Sequence, residues 1–213
     1  MLKNLLCLFS LLLFAFGTQA KASTIGPGPS CASCFGSSYT LSYTATANPD
    51  VFHVDLLVDA SGYNQTSTDV LNAVSLKIVP NGSDISSVSL LSHPATFSST
   101  ILGGISAGGC HANSTDGFFC SQSSSGLEVG KSGDIYDFTW AVTTTNASDL
   151  STALNAASVK ASYLTASGHN AGLTSEDITL SPATSPVPEP SSVALLGTGL
   201  LGVAGLLRRK YLV

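Results

Sequence analysis

Tyr39-Thr40-Leu41-Ser42-Tyr43-Thr44-Ala45-Thr46-Ala47 alternates apolar and hydroxyl side chains without a break. Tyr39, Leu41, Tyr43 and Ala45 fall on one side of an extended chain, and Thr40, Ser42, Thr44 and Thr46 on the other. A period of two marks a half-buried antiparallel strand, because successive side chains leave opposite faces of the pleat. Residues 51–60 repeat the pattern, with Phe52, Val54, Leu56 and Val58 inward and His53, Asp55 and Asp59 outward. Val74, Leu76 and Ile78 alternate with Ser75 and Lys77, and Val88 and Leu90 continue the theme. Further strands are expected at 97–102, at Tyr136, Phe138, Trp140 and Val142, at Val159, Ala161 and Tyr163, and at Ile178 and Leu180. Turn residues punctuate them: Asn48-Pro49-Asp50, Ser61-Gly62, Pro80-Asn81-Gly82-Ser83 and Ser167-Gly168. Seven or eight strands over roughly 160 residues predict an all-β fold, an antiparallel β-sandwich of immunoglobulin-like or jelly-roll-like kind. Trp140, the sole tryptophan, is expected in its core. A single short helix fits 149–156, with Ser148 as its N-cap.

Composition says what covers the strands. Only 10% of the 213 residues are charged, against about 25% in an ordinary domain. Serine and threonine make up a quarter of the chain, so hydroxyls carry the solvent-facing side. Residues 23–190 hold three bases against all 13 acids. A body so acidic repels phosphate backbones, which argues against nucleic-acid binding. Mean hydropathy is nevertheless +0.33, and the two ends of the chain account for it.

At the N-terminus, Lys3 precedes an apolar run over 5–16 and then small and polar residues. Ala20-Lys21-Ala22 fits the small-x-small cleavage rule, so residues 1–22 read as a signal peptide cut before Ser23. Thr18-Gln19-Ala20 is the second choice. Twelve apolar residues are too few to span a hydrocarbon core of about 30 Å.

At the C-terminus, residues 181–190 carry four prolines and form an extended linker between the exported body, 23–180, and the C-terminal apolar segment. That segment, an uncharged Gly/Leu/Ala/Val run over 193–207, is short for a membrane span. Arg208, Arg209 and Lys210 close it and orient it with its basic end in the cytoplasm. Val187-Pro188-Glu189-Pro190, the short helix and the terminal basic cluster together resemble the PEP-CTERM sorting signal, over 187–213. The resemblance implies an exosortase, a membrane-embedded transpeptidase-like enzyme, as partner. It also implies a bacterium with an outer membrane that makes exopolysaccharide. On this resemblance Pro188, Glu189 and Pro190 are recognition residues, with Arg208, Arg209 and Lys210 completing the signal. The chain would be anchored in the inner membrane during sorting and then reach the cell surface or the extracellular matrix. Such tails accompany many unrelated bodies, so the signal does not define what the body does.

Removal of the leader takes Cys7 and leaves Cys31, Cys34, Cys110 and Cys120. Four cysteines in an oxidising compartment read as two disulfides. Cys31–Cys34 with Cys110–Cys120 is the favoured pairing; the alternative pins the Cys31-Ala32-Ser33-Cys34 segment onto the 110–120 loop. A zinc site from these four and His111 is disfavoured, because thiols are scarce there and the spacing of the second pair is long. Asp50, Asp55, Asp59, Asp134 and Asp137 show no calcium-loop spacing and read as acidic edges that discourage strand-to-strand aggregation. No metal or cofactor is expected. Gly104-Ile105-Ser106-Ala107-Gly108 matches a hydrolase nucleophile motif, which needs a strand before the serine and a helix after it. A loop is expected after Ser106 instead. The leading expectation is a non-enzymatic exported protein with a structural, adhesive or exopolysaccharide-associated role. The runners-up are a secreted hydrolase using Ser106 and a carbohydrate-binding module with a groove lined by Tyr39, Tyr63, Tyr136 or Tyr163.

Overall fold

A computed structural model describes residues 21–27, 31–79, 84–106, 108–112, 117–146 and 157–178. The chain divides into two units, Met1–Ser181 and Pro182–Val213, and every described residue belongs to the first. The expected leader up to residue 20, the helix at 149–156 and the whole tail from residue 179 lie outside the described residues. Among those described, no helix is long and apolar enough to cross a membrane.

Eleven strands build the described body: β1 (Lys21–Ile25), β2 (Ser38–Ala45), β3 (Val51–Asp59), β4 (Val70–Lys77), β5 (Ile85–Ser92), β6 (Phe97–Ser106), β7 (Gly109–Ala112), β8 (Phe118–Glu128), β9 (Ile135–Thr144), β10 (Ala157–Leu164) and β11 (Asn170–Ile178). They form two antiparallel sheets, one ordered β1-β2-β3-β9-β5 and the other β11-β10-β4-β8-β6-β7. The fold is an all-β sandwich, as the alternation predicts. Register puts the expected inward residues side by side: Leu41 opposite Leu56, which in turn faces Phe138. Phe52, Val54, Leu56, Val58, Phe138, Trp140 and Val142 are all buried. At Leu76, Val159 and Phe119, the second sheet supplies the other wall of the core.

One expectation needs correction, and two strands carry no alternating signal. The stretch after Ser106 is strand rather than loop: β7 pairs back onto β6, with His111 opposite Gly104. The serine-rich segment beyond it is β8, which holds the middle of its sheet between β4 and β6. The first strand begins at Lys21, paired with Tyr43. A cut before Ser23 would therefore remove two of the five pairs of this edge strand, whereas a cut after Ala20 leaves them all.

Trp140 is fully buried and ties the two layers together. Its ring stacks on Phe138 of the same strand at 5.6 Å and meets Phe119 of the opposite sheet at 5.3 Å. Its indole N–H donates to Ser121 Oγ at 2.9 Å and lies 3.3 Å from Thr100 Oγ1. Those hydroxyls are themselves 2.6 Å apart. A buried N–H without a partner costs about 1–3 kcal/mol, so Ser121 and Thr100 fix where the ring can sit. Trp140→Ala is expected to cost about 3–5 kcal/mol. The double variant Thr100→Val/Ser121→Ala, which leaves the ring but orphans its N–H, should cost about 1–3 kcal/mol. Urea unfolding checks the ranking; a double variant as stable as the parent would refute it.

Candidate functional site

The Cys31-Ala32-Ser33-Cys34 segment forms a 3-10 turn, Ala32–Cys34, closed by the Cys31–Cys34 disulfide. Phe35 ends that turn in the left-handed conformation, φ 51°, a region non-glycine residues seldom occupy. The strain is held by its surroundings: Asn64 N donates to the Phe35 carbonyl at 2.9 Å. Gly36 follows at φ 86°, and a Cβ there would sit 2.0 Å from the Gly62 carbonyl oxygen. Only glycine permits that approach of two backbones.

This arrangement walls a cavity of about 390 Å³ between the turn and the 62–65 loop, lined by Pro27, Cys31, Phe35, Gly36, Asn64 and Gln65. Its lining offers an aromatic ring and two primary amides, with Gln65 Nε2 donating to Asn64 Oδ1 at 3.1 Å. None of the described lining side chains is an acid or a base. An aromatic face with amide donors and acceptors suits a neutral polar ligand.

Beneath the cavity lies a polar cluster between the sheets. Phe35 meets Tyr63 and Tyr163 edge-on at 6.3 and 6.1 Å, and Tyr63 stacks on Tyr163 at 4.6 Å. The hydroxyls of Tyr39 and Tyr163 are 2.6 Å apart. Tyr163 also donates to Ser37 Oγ at 3.1 Å, and Thr174 Oγ1 lies 3.1 Å from the Tyr39 hydroxyl while donating to the Ser33 carbonyl at 2.8 Å. Ser33 Oγ donates to Glu176. The disulfide turn is thus fastened to β11. Tyr63 donates to Asp69 Oδ2 at 2.9 Å. Burial pushes the hydroxyl pKa of Tyr39 and Tyr163 above the ordinary value of 10.0, and burial together with the Asp69 carboxylate does the same for Tyr63.

Tyr39 and Tyr163 are fully buried and Tyr63 nearly so. They cannot line a groove, and Tyr136, half-buried in the row that joins it to Tyr39 through Val58, donates to the Glu128 carbonyl. The aromatic residue that does face the cavity is Phe35, which follows the second cysteine and gave no periodic signal.

The cysteines pair as Cys31–Cys34 and Cys110–Cys120, the favoured of the pairings the sequence left open. Ser106 closes the β6–β7 hairpin, its hydroxyl 3.4 Å from the Gly109 carbonyl oxygen. A strand returning into a strand is not the strand–helix elbow that exposes a nucleophilic serine. Among the described residues, no three His, Cys, Asp or Glu side chains converge as a metal site would require.

Residues 186–210 match the family model of the PEP-CTERM protein-sorting motif. The chain carries a PEP-CTERM sorting motif. Pro188, Glu189, Pro190, Arg208, Arg209 and Lys210 all fall within the matched stretch. The motif marks a PEP-CTERM chain as exported and as sorted at the membrane by an exosortase. No curated protein matches the chain. Among solved structures, the endoglucanase CelQ of Clostridium thermocellum complexed with cellotetraose gives a TM-score of 0.34 at 7% identity, over 79% of this chain and 26% of that one. The same enzyme complexed with cellobiose and cellotriose gives 0.31 at 8% identity, over 65% and 22%. The chain spans about a quarter of the enzyme's length, and likeness at this level carries no argument.

The raised tyrosines give a pH prediction. Their protonated state is favoured by the fold, so this contribution is intact below pH 10, where unfolded tyrosine begins to ionise, and is lost as pH climbs through the folded values. Unfolding should set in above pH 10. Tyr39→Phe should blunt the pH dependence. Absorbance at 295 nm alongside circular dichroism checks it: buried tyrosines that ionise before the fold is lost would contradict the cluster.

Proposed function

We infer that the body serves as a non-enzymatic component of the cell surface or extracellular matrix, associated with exopolysaccharide and delivered there by the C-terminal signal. The PEP-CTERM motif carries this inference, because it is the one feature tied to a defined cellular handling. Two features of the body support it. The outer face of the five-stranded sheet presents Thr40, Ser42 and Thr44 of β2 and Thr139 and Thr143 of β9 on either side of β3, hydroxyls suited to a hydrated polymer. The cavity at Phe35 brings together the aromatic and amide chemistry that neutral sugars satisfy, with no acid or base among its described lining side chains.

At the tail, the exosortase recognises Pro188, Glu189 and Pro190 of the matched motif. At the other end, leader removal after Ala20 keeps β1 whole and is the cut we favour.

Replacing Pro188, Glu189 and Pro190 together by alanine should leave the chain uncut and retained in the membrane fraction, while the parent is found trimmed in the matrix. Intact mass spectrometry of both fractions reads the two trimmed ends. Unaltered trimming and location in the triple variant would overturn the sorting role. A matrix fraction free of the parent protein would overturn the proposed destination.

A further inference from the structure

The described body holds only four lysines, and two of them meet over one ring. Lys160 Nζ lies 4.4 Å from the centroid of Phe118, and Lys77 Nζ 5.8 Å from it. The residues sit on the face of the six-stranded sheet turned away from the other sheet, with Phe118 buried beneath the half-buried lysines. Phe118, Lys77, Ser158 and Asp177 form one row across β8, β4, β10 and β11, and Cys120, Ser75, Lys160 and Ser175 the next. Their in-between neighbours Leu76, Phe119 and Val159 point into the core. Because β4 lies between β10 and β8, the Lys160 stem has to cross β4, starting opposite Ser75, to bring its ammonium to the ring.

Two like charges brought together are normally offset by a carboxylate. Among the described residues the single ion pair is Lys131–Glu128 at 2.6 Å; neither Lys77 nor Lys160 has one. The acid in their row, Asp177, accepts from Ser158 Oγ at 2.9 Å, while the Lys160 ammonium is carried to the opposite side, toward β8. The ring quadrupole holds both ammoniums without neutralising them. Two lysines with no carboxylate partner among the described residues thus share one patch of an otherwise acidic body. The opposite outer face carries Asp55, Asp59 and Asp137, so an acidic polymer is accepted on one face and repelled from the other.

We propose that the Lys77–Phe118–Lys160 patch binds the carboxylates of an acidic, uronate-bearing polysaccharide. The proposal rests on the matrix reading above and names its ligand. Each ammonium takes one carboxylate of successive sugars by a charge-assisted hydrogen bond, and a single flexible polymer can touch this face without approaching the acidic one.

The test is affinity electrophoresis of the chain purified from its producing cells, in gels cast with polygalacturonate, with its methyl ester, or with dextran. Polygalacturonate should retard the protein and the two uncharged polymers should not. Retardation should disappear by about 0.5 M salt, where charges separated by more than a few ångströms are screened. Lys77→Gln/Lys160→Gln keeps both stems over Phe118 and should weaken binding about tenfold or more. Lys77→Arg/Lys160→Arg, which keeps the charge and the ring contact, should retain it. Thermal midpoints of both variants confirm the fold. Equal retardation by the methyl ester, unchanged binding in the glutamine pair, loss of binding in a folded arginine pair, or equal retardation by duplex DNA would each overturn the proposal. Matrix fractionation of parent and glutamine pair separates the two ideas. A glutamine pair that reaches the matrix but no longer binds polygalacturonate supports both, and a parent that binds polygalacturonate yet never reaches the matrix overturns the proposed destination alone.

Discussion

The sandwich depends on satisfying polar groups that its largest side chains carry into the space between the sheets. Trp140, Tyr39 and Tyr163 are the largest fully buried side chains, and each brings an N–H or O–H with it. A hydroxyl-rich sequence meets that demand where a leaner one would not. Ser121 and Thr100 receive the indole of Trp140 from the opposite sheet, and Ser37 and Thr174 complete the Tyr39–Tyr163 pair. Both sets of bonds run between layers rather than along them. They therefore set the relative position of the two sheets, which apolar contact alone leaves free to slide.

The scarcity of charge follows the same logic. Threonine and serine on the outer strands hydrate the surface and also fit the β geometry, so the body can be wet without being ionic. What charge remains is then informative. Acids are spread over the five-stranded face, and the paired lysines are gathered on the six-stranded face over Phe118. A skin so sparse in charge makes the local sign of each face the main electrostatic signal a polymer meets.

Strands with strict alternation and large inward residues were legible from sequence alone. Val51–Asp59 and Ile135–Thr144 follow the expected pattern because every second residue is too apolar to face water. The serine run inside Phe118–Glu128 was not legible. Ser121 and Ser123 are buried there; Ser121 receives the Trp140 indole N–H, and Ser123 Oγ accepts from the backbone N–H groups of Ser125 and Gly126. The short strand Gly109–Ala112 owes its pairing to Gly103, where a Cβ would meet the His111 carbonyl oxygen at 2.1 Å; such close approach has no periodic signature. Lys21–Ile25 was hidden because its residues also fit a cleavage site. The cysteine pairs were narrowed by spacing. The cavity was not, since Phe35 reaches it through a left-handed turn and the tyrosines expected at a groove are drawn inward by their hydroxyl partners.

Sorting and recognition are carried in different ways. The tail's signal is written in consecutive residues, Pro188, Glu189 and Pro190 with a basic end, and is readable whatever body precedes it. The body's recognition chemistry is written across strands: Lys77 and Lys160 are 83 positions apart in sequence and meet only because β4 and β10 pair. A linear motif can therefore be carried by many unrelated bodies, whereas the lysine pair exists only if this sheet forms in this register. A slip of one residue in the β4–β10 pairing would turn one lysine toward the core, where an unpaired ammonium is not tolerated. The buried Val74, Leu76, Val159 and Ala161 that enforce that register are thus also what keeps the two charges together on the outside.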